Sequence, residues 1–289
     1  MFQLTLATIL FTTLIGSKTQ IANAENQPLL QSEIQTSDPN PVDTNKVAQL
    51  WLAEAPRTTT ENQDLENKCT ANFLQGKFWI TARHCFSGIT DVRGAVYHPS
   101  FGYLGVEEAY FQSNYDDVAL LKVSEELHYS GFKLPETELE SADEAQLIGY
   151  GAGKSYPTIA KVRIKQFHAV YSLLNYEFHD IFESESVAEA RGCGGDSGGG
   201  IIKQDVIYAV HTGGTLNNDC TGAKSSRMWH TDLFTRREWI VETMRLNLTS
   251  NVNDRRRAFE GVEMGPTQTV ESKEKHNDAT SSRILGSSI

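Results

Sequence analysis

The 289-residue sequence predicts an all-β domain, an antiparallel sandwich or barrel, closed by one helix near the C-terminal end. Three observations predict it. From about residue 69 onward, short β-like runs alternate with turn residues and no helical period falls between them. A single later stretch carries apolar residues at helical spacing. The composition, 39% hydrophobic and 22% charged, can supply a core and is too apolar for wholesale disorder.

Taken in order, Phe2 to Ile15 is an apolar run, followed by a polar stretch that ends Ala22-Asn23-Ala24. A short apolar segment closed by an A-x-A site predicts a secretory signal peptide over 1–24, cut before Glu25, although no Lys or Arg precedes the run. The run is shorter than the ~18 residues of a membrane span. A secreted or periplasmic protein is therefore expected. Residues 25–46, with Pro28, Pro39 and Pro41, read as a linker or propeptide. Strands are expected over Thr70–Leu74, Phe78–Ala82, Val92–Tyr97, Val106–Phe111, Val118–Val123, Ala145–Tyr150, Val162–Val170, Ile201–Lys203 and Val206–His211. Asp232 is a suitable N-cap for the helix, whose apolar face would be Leu233, Phe234, Ile240, Val241 and Met244. Beyond about 250 the chain is polar without an apolar period, which predicts a disordered tail over 250–289 and a folded domain over 47–249.

Charge narrows the partners. Lys and Arg number 26 against 37 Asp and Glu, a net charge of −11, which excludes a general electrostatic affinity for nucleic acid or an anionic membrane. Residues 250–289 hold six charges of each sign, so the whole excess precedes them. The four cysteines are too few to build a fold but fit two bridges in an oxidising compartment.

Three islands carry chemistry: Thr81-Ala82-Arg83-His84-Cys85, Asp116-Asp117-Val118-Ala119-Leu120-Leu121, and Gly192-Cys193-Gly194-Gly195-Asp196-Ser197-Gly198-Gly199-Gly200. A serine nucleophile needs an imidazole to take its proton and a carboxylate to orient and stabilise that imidazole. The islands supply His, Asp and Ser in that order. Glycines beside Ser197 let main-chain amides turn inward, so the N–H groups of Gly195 and Ser197 could bind a developing oxyanion. Each island alone is compatible with an ordinary strand end or turn; together and in this order they point to nucleophilic catalysis.

At these residues the chain resembles the chymotrypsin/trypsin-like serine proteases. TARHC, DVALL and GDSGG are similar to that family's TAAHC, D-[IV]-A-L-L and GDSGGP, and Thr231 with Trp239-Ile240 matches the opening of its C-terminal helix. The likeness spans roughly residues 47–248. It implies two antiparallel six-stranded β-barrels with a C-terminal α-helix, and disulfides Cys69–Cys85, sixteen residues apart, and Cys193–Cys220. It implies His84 as general base and acid, Asp117 rather than Asp116 as its orienting carboxylate, and Ser197 as nucleophile. Asp196 would form the activation ion pair with a new α-amino group. No Ile-Val-Gly-Gly start is present, so the nearest candidate is cleavage after Lys46 to expose Val47-Ala48; the alternative is a loop ordered without a propeptide. No cofactor, metal or calcium loop is expected.

The resemblance also suggests a specificity. Arg191, six residues before the nucleophile, would lie at the bottom of the primary pocket, where it disfavours basic side chains and could bind a carboxylate. Val210-His211-Thr212-Gly213-Gly214 looks like the His-x-Gly-Gly segment of glutamyl endopeptidases. Arg191 and His211 together suggest cleavage after an acidic residue, Glu above all, with Gly213 a further substrate-binding residue, whereas Met228 could narrow the pocket toward small or medium apolar residues. The expected partners are a protein or peptide substrate and, as a further candidate, a protein inhibitor; a monomer is expected. Two rival classes stand beside an active endopeptidase. One is a catalytically silent relative acting as a binding module. The other is an esterase-type hydrolase, whose Gly-x-Ser-x-Gly elbow Gly195–Gly199 satisfies formally but whose residue order runs Ser, acid, His.

Overall fold

The computed structural model describes residues 42–53, 65–87, 93–173, 176–188, 190, 192–215 and 226–260, with side chains described as far as Leu248. The expected signal peptide, most of the linker, Arg191, Cys220 and residues 261–289 lie outside the described residues. Among the described residues eleven strands are formed: β1 Val47–Ala53, β2 Leu65–Thr81, β3 Gly94–His98, β4 Gly102–Phe111, β5 Ala119–Leu127, β6 Glu144–Gly149, β7 Thr158–Leu173, β8 Tyr176–Ser186, β9 Gly200–Lys203, β10 Val206–Gly214 and β11 Arg227–Asp232. They close into two antiparallel barrels, β1-β2-β5-β4-β3 and β10-β11-β8-β7-β6-β9.

The first barrel closes with five continuous strands where six were expected, and β2 explains the difference. Thr81 Oγ1 donates to Thr70 O at 2.6 Å and Asn72 Nδ2 to Ile80 O at 3.2 Å. In a straight strand, residues eleven apart would be separated by about 35 Å. β2 is therefore doubled back, with the turn at Gly76, whose φ of +58° is a conformation glycine adopts without strain. Its incoming arm pairs with β1 (Val47 opposite Asn72) and its outgoing arm with β5 (Trp79 opposite Leu121). Counted by arms, the barrel has the expected six passes.

Three apolar clusters follow from this architecture. One fills the first barrel and includes Leu50, Phe73, Trp79, Val96 and Leu121. Another fills the second with Leu147, Val162, Phe182, Ile201 and Met228. The third lies between the barrels and joins Phe78, Ile80 and Leu120 to Tyr150, Ile207, Leu233, Ile240 and Met244. Each fully buried large apolar side chain contributes about 1.5–3 kcal/mol relative to its exposed state.

The helix α1 spans Arg237–Glu260. It starts later than an N-cap at Asp232 predicts, because Asp232 instead caps the preceding turn, accepting from Phe234 N at 3.1 Å and Thr235 N at 2.9 Å. Leu233 thus reaches the core from that turn. Ile240 and Met244 reach it from the helix, while Val241 is exposed. The helix also continues past the boundary expected at 250. No helix among the described residues is long and apolar enough to cross a membrane.

Candidate active site

The outgoing arm of β2 ends at Thr81, and extended Ala82 leads into a 3₁₀ turn, Arg83–Phe86, that carries His84. Asp117 precedes β5 and is 4% exposed. Its carboxylate grips His84 twice: Oδ2 takes the imidazole Nδ1–H at 2.8 Å, and Oδ1 takes the main-chain N–H of the same residue at 2.7 Å. The double contact fixes both the ring and its backbone, and places a hydrogen on Nδ1 so that Nε2 is left free to accept. Burial, the largest influence on each group, favours the neutral forms. The opposing charges and hydrogen bonds prevail, raising the His84 pKa above its ordinary value and lowering that of Asp117.

Thr212 is a third partner, which the sequence reading passed over. Its hydroxyl faces Asp117, where it helps hold the carboxyl's pKa down, and shares a hydrogen bond with Thr231 Oγ1 at 2.8 Å. A register shift in the β10–β11 pairing explains the aim. His211 faces His230 and Gly213 faces Trp229, leaving Thr212 as the extra residue of a bulge. The only trace in the sequence was a hydroxyl residue between His211 and Gly213.

The Cys69–Cys85 disulfide forms as the resemblance implied, with Cα atoms 6.2 Å apart, and ties the histidine turn to β2. Closing a loop of this length is worth about 3 kcal/mol in the chain-entropy model. The donor atoms of Cys69, His84 and Cys85 lie within 4.8 Å of one another, but the bridge leaves no thiolate to bind a metal. Cys193 is also disulfide-bonded; its expected partner, Cys220, lies outside the described residues.

The Ser197 loop is anchored to β2. Thr70 N donates to Ser197 O at 2.8 Å, Thr70 Oγ1 to Gly195 O at 2.8 Å, and Asn72 Nδ2 to Gly198 O at 2.7 Å. A Cβ on Gly198 would come within 2.1 Å of Thr81 Oγ1 and 2.8 Å of Ala82 N, so a glycine there lets the serine loop lie directly against the chain leading to His84. Gly195 has a φ of +98°. Ser197 itself is buried.

Asp196 is 4% exposed, with Oδ1 accepting from Gly151 N at 2.7 Å and Oδ2 from Cys193 N at 2.8 Å. Burial outweighs these two bonds and pushes its pKa up to about 6. No ion-pair partner faces it among the described residues. At the suggested cut after Lys46, Lys46 is buried with its ammonium on Asp205 at 2.5 Å, and Val47 is fully buried in β1.

Of the expected pocket residues, His211, Gly213 and Met228 are buried near the serine loop, and Arg191 lies outside the described residues. His211 O accepts Gly198 N–H at 2.8 Å, and Met228 Sδ accepts Gly192 N–H at 3.2 Å. His211 Nε2 lies so close to Gly192 that a Cβ there would come within 2.5 Å. Behind His211 runs a buried polar chain that the sequence did not reveal. His211 Nδ1 meets His230 Nδ1 at 3.2 Å, and His230 Nε2 meets Ser184 Oγ at 2.7 Å. Burial, assisted by the nearby His84, lowers the His211 pKa to about 3; burial and then His211 hold His230 well below its ordinary value. Both rings are neutral at physiological pH.

The family model described as Trypsin matches residues 49–240, which is 192 of the 289 residues. The chain belongs to the trypsin family. Among solved structures, kallikrein-related peptidase 10 aligns with a TM-score of 0.54 at 15% identity, over 70% of this chain and 96% of that one. Mouse neuropsin, a serine protease expressed in the limbic system, aligns with a TM-score of 0.51 at 17% identity, over 70% and 95%. The Rv3671c protease of M. tuberculosis in its active form aligns with a TM-score of 0.50 at 17% identity, over 65% and 76%. These likenesses establish the fold. No curated protein matches the sequence.

Proposed function

We infer that this trypsin-family member is an exported serine endopeptidase that prefers an acidic residue, Glu above all, on the acyl side of the cut bond. The observation that carries the catalytic reading is the double grip of Asp117 on His84 beside the anchored Ser197 loop. In the first step Ser197 Oγ bonds to the substrate carbonyl carbon while His84 Nε2 takes the hydroxyl proton. The N–H groups of Gly195 and Ser197 receive the oxyanion. The tetrahedral adduct collapses as the C–N bond breaks and His84 returns the proton to the leaving amine. Water then repeats the sequence on the acyl-enzyme, releasing the acid and restoring Ser197.

The acidic preference is supported by His211. Its Nε2 has no hydrogen-bond partner among the described residues, while its Nδ1 is tied to His230. If Ser184 donates to His230 and His230 to His211, the His211 proton sits on Nε2 and can be given to a carboxylate. Export is supported by the A-x-A leader and by a disulfide, which persists in oxidising compartments.

The test is cleavage of a mixed peptide library by the purified protein, with the cut bonds read by mass spectrometry and Ser197→Ala as control. Cuts after Glu or Asp that vanish in the control are expected. Cuts after small or apolar residues would keep the protease and discard the acidic pocket. No cuts, together with no labelling of Ser197 by diisopropyl fluorophosphate, would mean a catalytically silent protein.

A further inference from the structure

Arg236, in the turn before α1, is 1% exposed, although nothing in its sequence context marks it as more than a surface residue of a helix start. Its guanidinium reaches three segments at once. Nη2 donates to Asp116 Oδ1 in the loop before β5 and to His179 O of β8 at 2.7 Å. Nη1 donates to Asp232 O and to Thr235 Oγ1, both at 2.9 Å, and lies 3.9 Å from Asp180 Oδ2. Asp116 is held from its other side by the Ser113 hydroxyl. Nε alone lacks a partner among the described residues. A buried cation is poor evidence of a gain in stability, so its placement calls for another reason.

We propose that Arg236 is a positioning residue for catalysis, clamping Asp116 so that the adjoining Asp117 carboxylate is held against His84. The planar fork matters, because one side chain must satisfy a carboxylate and a carbonyl from opposite barrels in a single plane, which an ammonium cannot do. The clamp bridges the barrels immediately behind the His84–Asp117 pair, with Asp116 from the first, His179 and Asp180 from the second, and the helix turn as its base. Its charge matters as well: Arg236 neutralises Asp116, so a single carboxylate charge acts on His84 from this loop. Among the described residues, the other groups facing the pair are the Thr212 hydroxyl and the neutral His211 from β10, while Arg83, on the histidine turn itself, is engaged by Asn114.

This inference rests on the catalytic reading above, so its test has an arm that needs no turnover. In the Ser197→Ala background, His84 is titrated by NMR of its imidazole Cε1–H for the parent, Arg236→Lys, Arg236→Met and Asp116→Asn. Asp116→Asn leaves the guanidinium charge uncompensated and is expected to lower the His84 midpoint. Arg236→Met leaves Asp116 uncompensated and is expected to raise it, and Arg236→Lys to leave it nearly unmoved. In the Ser197 protein, Arg236→Lys and Asp116→Asn are each expected to slow kcat by about ten- to a hundredfold with KM little changed, as small misplacements of a catalytic group do. Diisopropyl fluorophosphate modification should slow in parallel. Midpoints that do not move in opposite directions for Asp116→Asn and Arg236→Met overturn the electrostatic half. Wild-type kcat in both Arg236→Lys and Asp116→Asn, or a loss that merely tracks a lowered melting temperature, overturns the positioning role. Should Arg236→Met fail to fold, the downward shift in Asp116→Asn decides. Should the parent protein prove silent, the catalytic reading fails while the titrations still test the clamp.

Discussion

The two barrels share a topology but not an interior. The first is filled with Leu50, Phe73, Trp79, Val96 and Leu121, and three of its buried polar residues, Thr70, Asn72 and Thr81, lie along the doubled β2 where it meets the serine loop. The second surrounds its smaller apolar cluster with two buried hydrogen-bonded sets, the chain Ser184–His230–His211 and the pair Thr212–Thr231. Buried polar groups are tolerated when they bond to each other and costly when they do not. The first barrel thus carries the His84–Asp117 pair at its edge, and the second carries the Ser184–His230–His211 chain inside it.

The largest expected effect falls on the edge of the first barrel. Asp117→Asn should slow kcat by about ten-thousandfold while leaving the fold intact, since it removes the charge and inverts the donor pattern at His84 Nδ1. The pH profile sharpens this. With His84 raised above its ordinary 6.5, the acid limb of kcat/KM should lie above pH 6.5; in Asp117→Asn burial acts alone and the limb should fall below it. A limb that stays in place would refute the assignment of His84 as the titrating base.

Next come paired substitutions, one in each interior. Leu121→Ala should cost about 2–5 kcal/mol in urea unfolding without changing the ratio of Glu to Leu cleavage. His230→Leu should reverse the pattern, costing about 1–3 kcal/mol for the partners it strands but collapsing that ratio. If both act only on stability, the contrast between the interiors is wrong.

Asp196 supplies a pH test of similar size. Its native pKa of about 6 exceeds its ordinary 3.8, so the native state holds the proton more tightly than the unfolded chain. Stability should be greatest below pH 4 and fall by on the order of 3 kcal/mol as pH rises through 6, relative to Asp196→Asn. A difference between the two proteins that stays flat from pH 4 to 7 would remove this role. The smallest effect belongs to Thr231→Val, which should cost about 1 kcal/mol and shift the His84 limb only slightly, because the Thr212 hydroxyl still faces Asp117.

Much of the candidate site was legible because its chemistry lies in contiguous words: TARHC, DVALL and GDSGG carry His84, Asp117 and Ser197 within short runs of sequence. Less visible was whatever depends on residues meeting across the fold. β8, Tyr176–Ser186, and β11, Arg227–Asp232, were missed because their charged and polar residues hide the alternation that reveals a strand. β1, Val47–Ala53, escaped because it is buried almost throughout and so has no polar face. Nothing in the sequence marks Arg236, because its partner Asp116 lies 120 residues away along the chain and meets it only in the fold. The doubled β2 was read as two strands, which is nearer its geometry than one continuous label.

That hairpin acts as a common datum. Thr70 and Asn72 on its incoming arm hold the serine loop, and its outgoing arm runs through Ala82 straight into His84. The spacing of His84 and the Ser197 loop is thereby gauged from one short piece of chain, as the jaws of a caliper are gauged from its beam.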